Sequence, residues 1–453
     1  MSKKEEFTNK LKNSKIAIVG LGVSNIPLME YLHKLNCNVE IFNTKPLDKA
    51  IIEKIDSCDF KYYVEENALD KLHGFDIIFR SPSILPTRKE LILAKEEGAI
   101  ITTEIKELIR LTPSRVIGVT GSDGKTTTTT LIDLILRANN YKTFLGGNIG
   151  TPLFTKLDEM AEKDIVVLEL SSFQLMDMDI SPNIAVVTNI AENHLDIHKD
   201  FNEYIDAKKN IFKYQDENGI LVTNADNEIT NKFKSKGTTR YFSRSKVTKY
   251  FYTDGIYVYY NGKKVLSKSD IKLRGIHNLE NIATALTAVI DLVDLDKSIE
   301  AIKQFNGVEH RLEFVREIDG VKWYNDSVSS SPTRTIAGLY SYDENIVLIA
   351  GGYDKHLDYT NIAPPILEKV TKLILFGDTK EKIYNAVTLL NKKEHKDIDI
   401  YICNTLKEVV DKARETAIPG EIVLFSPASA SFDMFKNFAD RGIQFKNLVN
   451  DIK

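Results

Sequence analysis

Short, continuous apolar runs separated by helical patterns recur along almost the whole chain, and they leave few folds open to it. KIAIVG (Lys15 to Gly20), VEIF (Val39 to Phe42), DIIF (Asp76 to Phe79), VIGVTG (Val116 to Gly121), DIVVLEL (Asp164 to Leu170) and IAVVTNI (Ile184 to Ile190) come first. NIVLIAGG (Asn345 to Gly352), KLILFG (Lys372 to Gly377) and EIVLFSP (Glu421 to Pro427) follow late in the chain. Each is mostly continuous rather than alternating, as in a parallel strand covered on both faces. Helical segments between them supply the crossovers of βαβ units, so the class is α/β. One stretch departs from this. KYFYTDGIYVYYNGKKVL (Lys249 to Leu266) has aromatic and β-branched residues broken by Asp-Gly and Asn-Gly, a hairpin signal that implies a small antiparallel patch.

A length of 453 residues is too great for one hydrophobic core. Gly-rich strand-to-helix turns at Gly20 and Gly121, with a third set of strands after Val321, divide it into three. The expected domains are a Rossmann-like N-terminal domain (1–103), a central P-loop domain with a mainly parallel sheet (104–307), and a C-terminal Rossmann-like α/β domain (308–453). Sixty basic against 64 acidic residues give a net charge of -4, no basis for a nucleic-acid or membrane partner. Cys37, Cys58 and Cys403 are too dispersed for a metal site or a disulfide framework, which fits a reducing cytosol. The polar start MSKKEEFTNK is no signal peptide, and no apolar run reaches membrane-span length. A cytoplasmic monomer acting on small molecules is expected.

The strongest local signal is GVTGSDGKTT, Gly118 to Thr127, between a strand and the helical run TTTTTLIDLILRA. Glycines at 121 and 124 let the backbone wrap around phosphates, with Ser122 and Asp123 between them. Lys125 would reach the β- and γ-phosphates, Thr126 would hold Mg²⁺, and Thr127 continues the loop into the helix. The spacing is not that of a strict Walker A loop, because Val119 stands where its first glycine would be and the outer glycine is Gly118. A plain Gly-rich turn is the bland alternative; the strand before and the helix after argue for nucleoside triphosphate binding.

TGSDGKTT also resembles the TG-x-x-GKT loop of the Mur ligases and of the folylpolyglutamate synthetases. Further stretches resemble Mur ligase segments in order: GGNIGTPL (Gly146 to Leu153), LELSSFQL (Leu168 to Leu175), TNIAENHLDIH (Thr188 to His198), AKKNIF (Ala207 to Phe212) and GIHNLENIATAL (Gly275 to Leu286). EHRLEFV (Glu309 to Val315), NDS (Asn325 to Ser327) and SPASASFDMFKNFADRG (Ser426 to Gly442) continue the series. The similarity runs from about Lys15 to the end, and the D-glutamate-adding branch of the family fits best.

That resemblance implies a two-step reaction. A carboxylate of UDP-N-acetylmuramoyl-L-alanine takes the γ-phosphoryl group of ATP, and the amine of D-glutamate then displaces phosphate from the acyl phosphate through a tetrahedral intermediate. By resemblance Glu169 and His194 are ligands in a site for two Mg²⁺ ions, and Lys208 is a lysine carbamylated by CO₂, whose oxygens can bind metal. On chemistry alone Glu169 could cap a helix or pair with an arginine, and His194 would suit a hydrogen-bonding role. Lys208 would by itself read as an exposed lysine on a charged helix. Asp196 would orient His194 or form a turn. Asn278 and Asn281, one turn apart on a helix, suit adenine. By resemblance Arg311 and Asp326 reach the triphosphate and ribose, and an ATP site shared between domains would require closure.

GLGVSN, Gly20 to Asn25, invites a nicotinamide reading, but Asn25 replaces the third glycine and the second strand ends at Asn43 instead of an acidic residue. The resemblance instead gives Val23 and Ser24 to the UDP-sugar diphosphate, Asn43 and Thr44 to uracil, and Ser81, Ser83, Asn148 and His194 to the rest of that substrate. Lys355, Ser431 and Phe438 would hold D-glutamate; alone, Lys355 reads as a loop lysine. Many relatives have lysine where this chain has Val328, so either Lys355 with nearby hydroxyls such as Ser330 and Ser331 would carry the load, or Arg334 would take over. Three other readings stand beside this one. A folylpolyglutamate synthetase would not need the N-terminal domain, a dehydrogenase leaves Lys125 unexplained, and a nucleotide-binding module leaves Glu169, His194 and the tail without roles.

Overall fold

The computed structural model describes residues 3–191, 198–273, 275–355, 357–396 and 398–452. They form two compact units, Met1–Lys268 with Leu279–Ile302, and Ser269–Asn278 with Lys303–Lys453.

The first unit holds three sheets. β1 (Lys15–Val19), β2 (Asn38–Asn43), β3 (Lys61–Val64), β4 (Ile77–Arg80) and β5 (Ile100–Thr102) make a parallel sheet in the order β3-β2-β1-β4-β5. β4 is buried at every residue, and β1 at every residue after Lys15, which is why neither run alternates. β6 (Arg115–Thr120), β7 (Thr143–Gly147), β8 (Ile165–Glu169), β9 (Ile184–Val187), β10 (Ile220–Asn224) and β11 (Thr238–Phe242) form a second parallel sheet, ordered β11-β10-β9-β6-β8-β7. β9, β6 and β8 are therefore adjacent, and the residues after Val187, Thr120 and Glu169 meet at one edge, where open parallel sheets bind ligands.

The Asp-Gly and Asn-Gly breaks separate three antiparallel strands, β12 (Phe251–Thr253), β13 (Tyr257–Tyr260) and β14 (Lys263–Ser267). Asn261 and Gly262 both have positive φ, as the tight two-residue turn between β13 and β14 requires. The two parallel sheets share one buried cluster, running from Ile16, Ile18 and Leu28 through Ile105 and Leu108 to Val116, Phe154 and Leu168. Phe154 sits edge-on to Phe7, Tyr31 and Phe79, joining the loop after β7 to the first sheet.

The second unit contains β15 (Glu313–Ile318), β16 (Val321–Asn325), β17 (Ile346–Gly351), β18 (Val370–Phe376), β19 (Asp399–Ile402) and β20 (Ile422–Phe425), ordered β15-β16-β20-β17-β18-β19. Only β15 is antiparallel to its neighbour. The strand set thus opens at Glu313, ahead of the expected Val321. This edge strand has no fully buried residue and lacks the apolar run that marks the others. Adjacent strands β16, β20 and β17 bring Asp326, Ser426 and Gly352 to one edge.

Candidate active site

The loop from Gly121 to Gly124 joins β6 to the helix Lys125–Ala138, as its sequence required. Gly121 has φ 149°, and a Cβ there would stand 1.8 Å from the Thr188 hydroxyl, so no other residue fits without displacing that loop. Thr188 donates to Asp123 O at 2.6 Å. Asn189 accepts through Oδ1 from the amides of Asp123 (2.9 Å) and Ser122 (3.2 Å). The Ser122 hydroxyl meets Tyr204 OH at 2.9 Å and accepts from the Ala191 amide at 2.9 Å. Thr188, Asn189 and Tyr204 thus hold the phosphate loop, and none had been given that role from sequence. Lys125 Nζ donates to the loop carbonyls of Gly121 (3.0 Å) and Ser122 (2.9 Å), while Thr127 is buried one residue beyond Thr126. Asn281 packs on Gly124 and accepts from Thr128 Oγ1 at 3.4 Å, so its amide backs the loop; Asn278 is also buried.

Glu169, 1% exposed at the end of β8, accepts from Thr126 Oγ1 at 2.7 Å and from Asn148 Nδ2 at 2.8 Å. Among the described residues no three His, Cys, Asp or Glu side chains converge. The oxygen donors Glu169 and Thr126 nevertheless form the kind of hard pair that suits Mg²⁺ beside a triphosphate.

Lys208 corrects what residue type alone suggested. It is not an exposed lysine: its side chain is 1% exposed. Nζ donates to Gly121 O at 2.8 Å and Thr120 Oγ1 at 3.3 Å, and lies 4.6 Å from the centre of the Tyr204 ring. Burial, seconded by the positive charge of Lys125, holds its amine well below the ordinary lysine range, against the opposing pull of Glu169 and Asp123. The signal was present in helical spacing. Tyr204, Lys208, Ile211 and Phe212 form the buried stripe of the helix Phe201–Lys213. His194 and Asp196 lie outside the described residues. His198, buried at the edge of that gap, meets Ser172 Oγ through Nε2 at 2.9 Å and stacks on Phe173.

A cavity of about 480 Å³ in the same unit is lined by Val23, Ser24, Ser81, Ser83, Asn148 and Phe173, among others. It therefore gathers five of the expected UDP-sugar residues. Asn43 and Thr44 are not among its walls. The Asn43 amide instead accepts from Leu21 N at 3.1 Å and donates to Lys45 O at 2.6 Å, steadying the first glycine turn. Glu104 also lines the cavity, 5% exposed, and accepts from Phe154 N at 2.8 Å; burial pushes its carboxyl up to about 7.

In the second unit Asp326 is buried, with oxygens accepting from Ser329 Oγ (2.6 Å), Ser426 Oγ (2.7 Å) and Leu312 N (3.2 Å). Burial raises its carboxyl, and the Ser329 and Ser426 hydroxyls and the Arg311 charge act against that. Lys355 lies 5.8 Å from the Phe432 ring centre, and Tyr353 bridges to Ala430, so the loop after β17 sits beside the tail that carries buried Ser431. Phe438 opens the last helix, and its carbonyl accepts from Ser327 Oγ at 2.7 Å. Arg334 Nη1 reaches Val328 O at 3.4 Å. Arg441, which sequence reasoning missed, is wholly buried and donates to Ser327 O, Ser429 O and Ala430 O, fixing the tail to the segment after β16.

Three family domains match the sequence: a MurD N-terminal domain over residues 15–89, a Mur ligase middle domain over 119–289, and a Mur ligase glutamate ligase domain over 310–429. The UDP-N-acetylmuramoylalanine--D-glutamate ligase of Clostridium novyi is 48% identical over 453 residues, covering 99% of both chains. The protein of that name from Acetivibrio thermocellus is 48% identical over 463 residues, covering 100% of this chain and 99% of its own. Among solved structures, UDP-N-acetylmuramate-alanine ligase MurC of Thermotoga maritima has the same fold, with TM-score 0.63 at 20% identity, covering 97% of this chain and 100% of that one. MurF of Acinetobacter baumannii aligns with TM-score 0.60 at 15% identity over 95% of this chain and 90% of its own.

Proposed function

Because the chain belongs to the Mur ligase family, we propose that it joins D-glutamate to the L-alanine carboxylate of UDP-N-acetylmuramoyl-L-alanine, turning ATP into ADP and phosphate, in peptidoglycan precursor synthesis. The observation that carries this reading is similarity along the whole length to D-glutamate ligases. The substrate carboxylate oxygen attacks the γ-phosphorus, ADP leaves, and an acyl phosphate forms. The amine of D-glutamate then adds to the acyl carbon and loses a proton, and phosphate departs from the tetrahedral intermediate. Both steps concentrate negative charge, so the site must supply fixed donors and cations. The loop amides from Gly121 to Thr127 and the Lys125 ammonium serve the phosphates. The sugar nucleotide occupies the cavity between Val23, Ser24, Ser81, Ser83 and Asn148, with Asn43 and Thr44 toward uracil.

Mg²⁺ suits the Glu169–Thr126 pair, with His194 as a further ligand, and supplies neutralisation of phosphate charge when bound. Lys208 is the carbamate of this site. Burial and the nearby Lys125 charge favour the neutral, nucleophilic form of this amine over the ammonium. Its nitrogen can add to CO₂ and lose a proton, replacing a cation with oxygens able to bind metal. Asn278 and Asn281 serve adenine, Arg311 and Asp326 the nucleotide, and Lys355, Ser431 and Phe438 D-glutamate. The three domains divide these tasks at about residues 103 and 307. The protein acts on these small-molecule substrates as a cytoplasmic monomer. Purified protein should release phosphate from ATP only with Mg²⁺, the UDP-sugar and D-glutamate together. Phosphate release that is unchanged when the UDP-sugar is omitted refutes the assignment.

A further inference from the structure

Arg80 ends β4, immediately before the Ser81–Ser83 turn, and is 0% exposed. Its guanidinium divides between two walls of the cavity. On its own side Nη1 donates to Ile84 O at 3.0 Å and, more weakly, to Ser81 O at 3.4 Å. On the far side Nε donates to Asp177 Oδ2 at 3.1 Å, and Nη2 to Asp177 Oδ1 and to Phe173 O at 3.4 Å. Phe173 belongs to the short helix Ser172–Leu175, whose Phe173 and Gln174 line the cavity together with Ser81 and Ser83. Ser81 in turn meets Ser83 Oγ at 3.0 Å and packs on the first glycine turn, where a Cβ on Gly20 would stand 2.9 Å from Ser81 Cβ. One planar, five-donor group therefore sets both the shape of the Ser81–Ser83 turn and its distance from Phe173, which a lysine cannot do.

We infer that Arg80, with Asp177 as its counter-ion, is a positioning residue for the sugar nucleotide: it fixes the separation of the cavity walls without touching the reacting atoms. The inference rests on the substrate reading given above. The remaining charges near Asp177 are accounted for elsewhere. Lys106 donates to Asp177 O at 3.2 Å and pairs with Asp179 at 3.0 Å, and Arg110 pairs with Asp179 at 2.8 Å, so neither replaces the fork to the turn.

The test is Arg80→Lys, with Asp177→Asn as a milder second variant that keeps one acceptor. Titration calorimetry with UDP-N-acetylmuramoyl-L-alanine and steady-state kinetics would be run on each, beside circular dichroism to verify folding. Arg80→Lys should weaken sugar-nucleotide binding and raise its KM by about tenfold, the scale of one lost charge-assisted contact. kcat at saturation and the KM values for ATP and D-glutamate should stay close to those of the wild type. Asp177→Asn should shift the same constant in the same direction by less, and the double variant should show less than the product of the two effects. A folded Arg80→Lys or Asp177→Asn with unchanged sugar-nucleotide affinity overturns the positioning role, as does a parallel change in all three KM values. If Arg80→Lys does not fold, Asp177→Asn decides alone. Wild-type protein that fails to bind the sugar nucleotide overturns the substrate reading, and this inference with it.

Discussion

Replacing Glu104 with glutamine should make the protein more stable at pH 8 and leave it nearly unchanged at pH 4. The carboxyl is 5% exposed beside Phe154, and burial raises it from the ordinary 4.5 to about 7 despite bonds from the Phe154 and Leu153 amides. Below 4.5 both folded and unfolded states carry the proton. Between 4.5 and about 7 the folded state holds a proton that the unfolded state has lost, so stability falls as pH rises through this window. At 1.36 kcal/mol per pH unit, the gap between 4.5 and about 7 is worth roughly 3 kcal/mol above pH 8. Glutamine keeps an acceptor for Phe154 N and resembles the neutral acid in shape and donors, but cannot ionise. Urea denaturation of both proteins at pH 4, 5, 6, 7 and 8 should give midpoints that coincide at pH 4 and diverge increasingly in the variant's favour as pH rises. A constant offset at every pH, or a variant that is less stable at pH 8, refutes the buried-acid argument.

Lys125→Ala should reduce phosphate release to background while calorimetry shows sugar-nucleotide affinity within about twofold, because the cavity walls do not include that residue. Lys208→Ala should lose at least about 100-fold in kcat, with partial recovery on adding short carboxylic acids that replace the carbamate oxygens. A wild-type rate, or no recovery, removes the carbamate role. Lys355→Ala should raise the KM for D-glutamate about tenfold, with the KM values for ATP and the sugar nucleotide unmoved. An unchanged D-glutamate dependence would turn attention to Arg334, which already reaches the Val328 carbonyl.

What local sequence determined here is backbone. Short continuous apolar runs bounded by turn residues fit strands covered on both faces, and the runs beginning at Lys15, Val116, Asn345 and Glu421 became interior strands of their sheets. Glycines at 121 and 124, between a strand and a helix, mark a tight turn that suits phosphate, and Asn-Gly at 261 marks a hairpin, and both carry the positive φ that such turns need. Even so, β9 stops at Val187 although the strand-like stretch of sequence extends to Ile190, because the Thr188 and Asn189 side chains bond the phosphate loop, a partner some 65 residues earlier. The fates of the charged side chains were settled in the same non-local way. Lys208 and Lys209 are neighbours on one helix with the same chemistry, yet one is buried against Gly121 and the other pairs with Asp206 at the surface. Arg80, Glu104 and Arg441 likewise carry no local mark of burial. Each became an interior group only when strands and loops distant in sequence closed around it and supplied the bonds that a buried charge demands. Periodicity reports how a segment meets water on average, whereas the cost of burying one charge depends on which partners the rest of the chain brings to it.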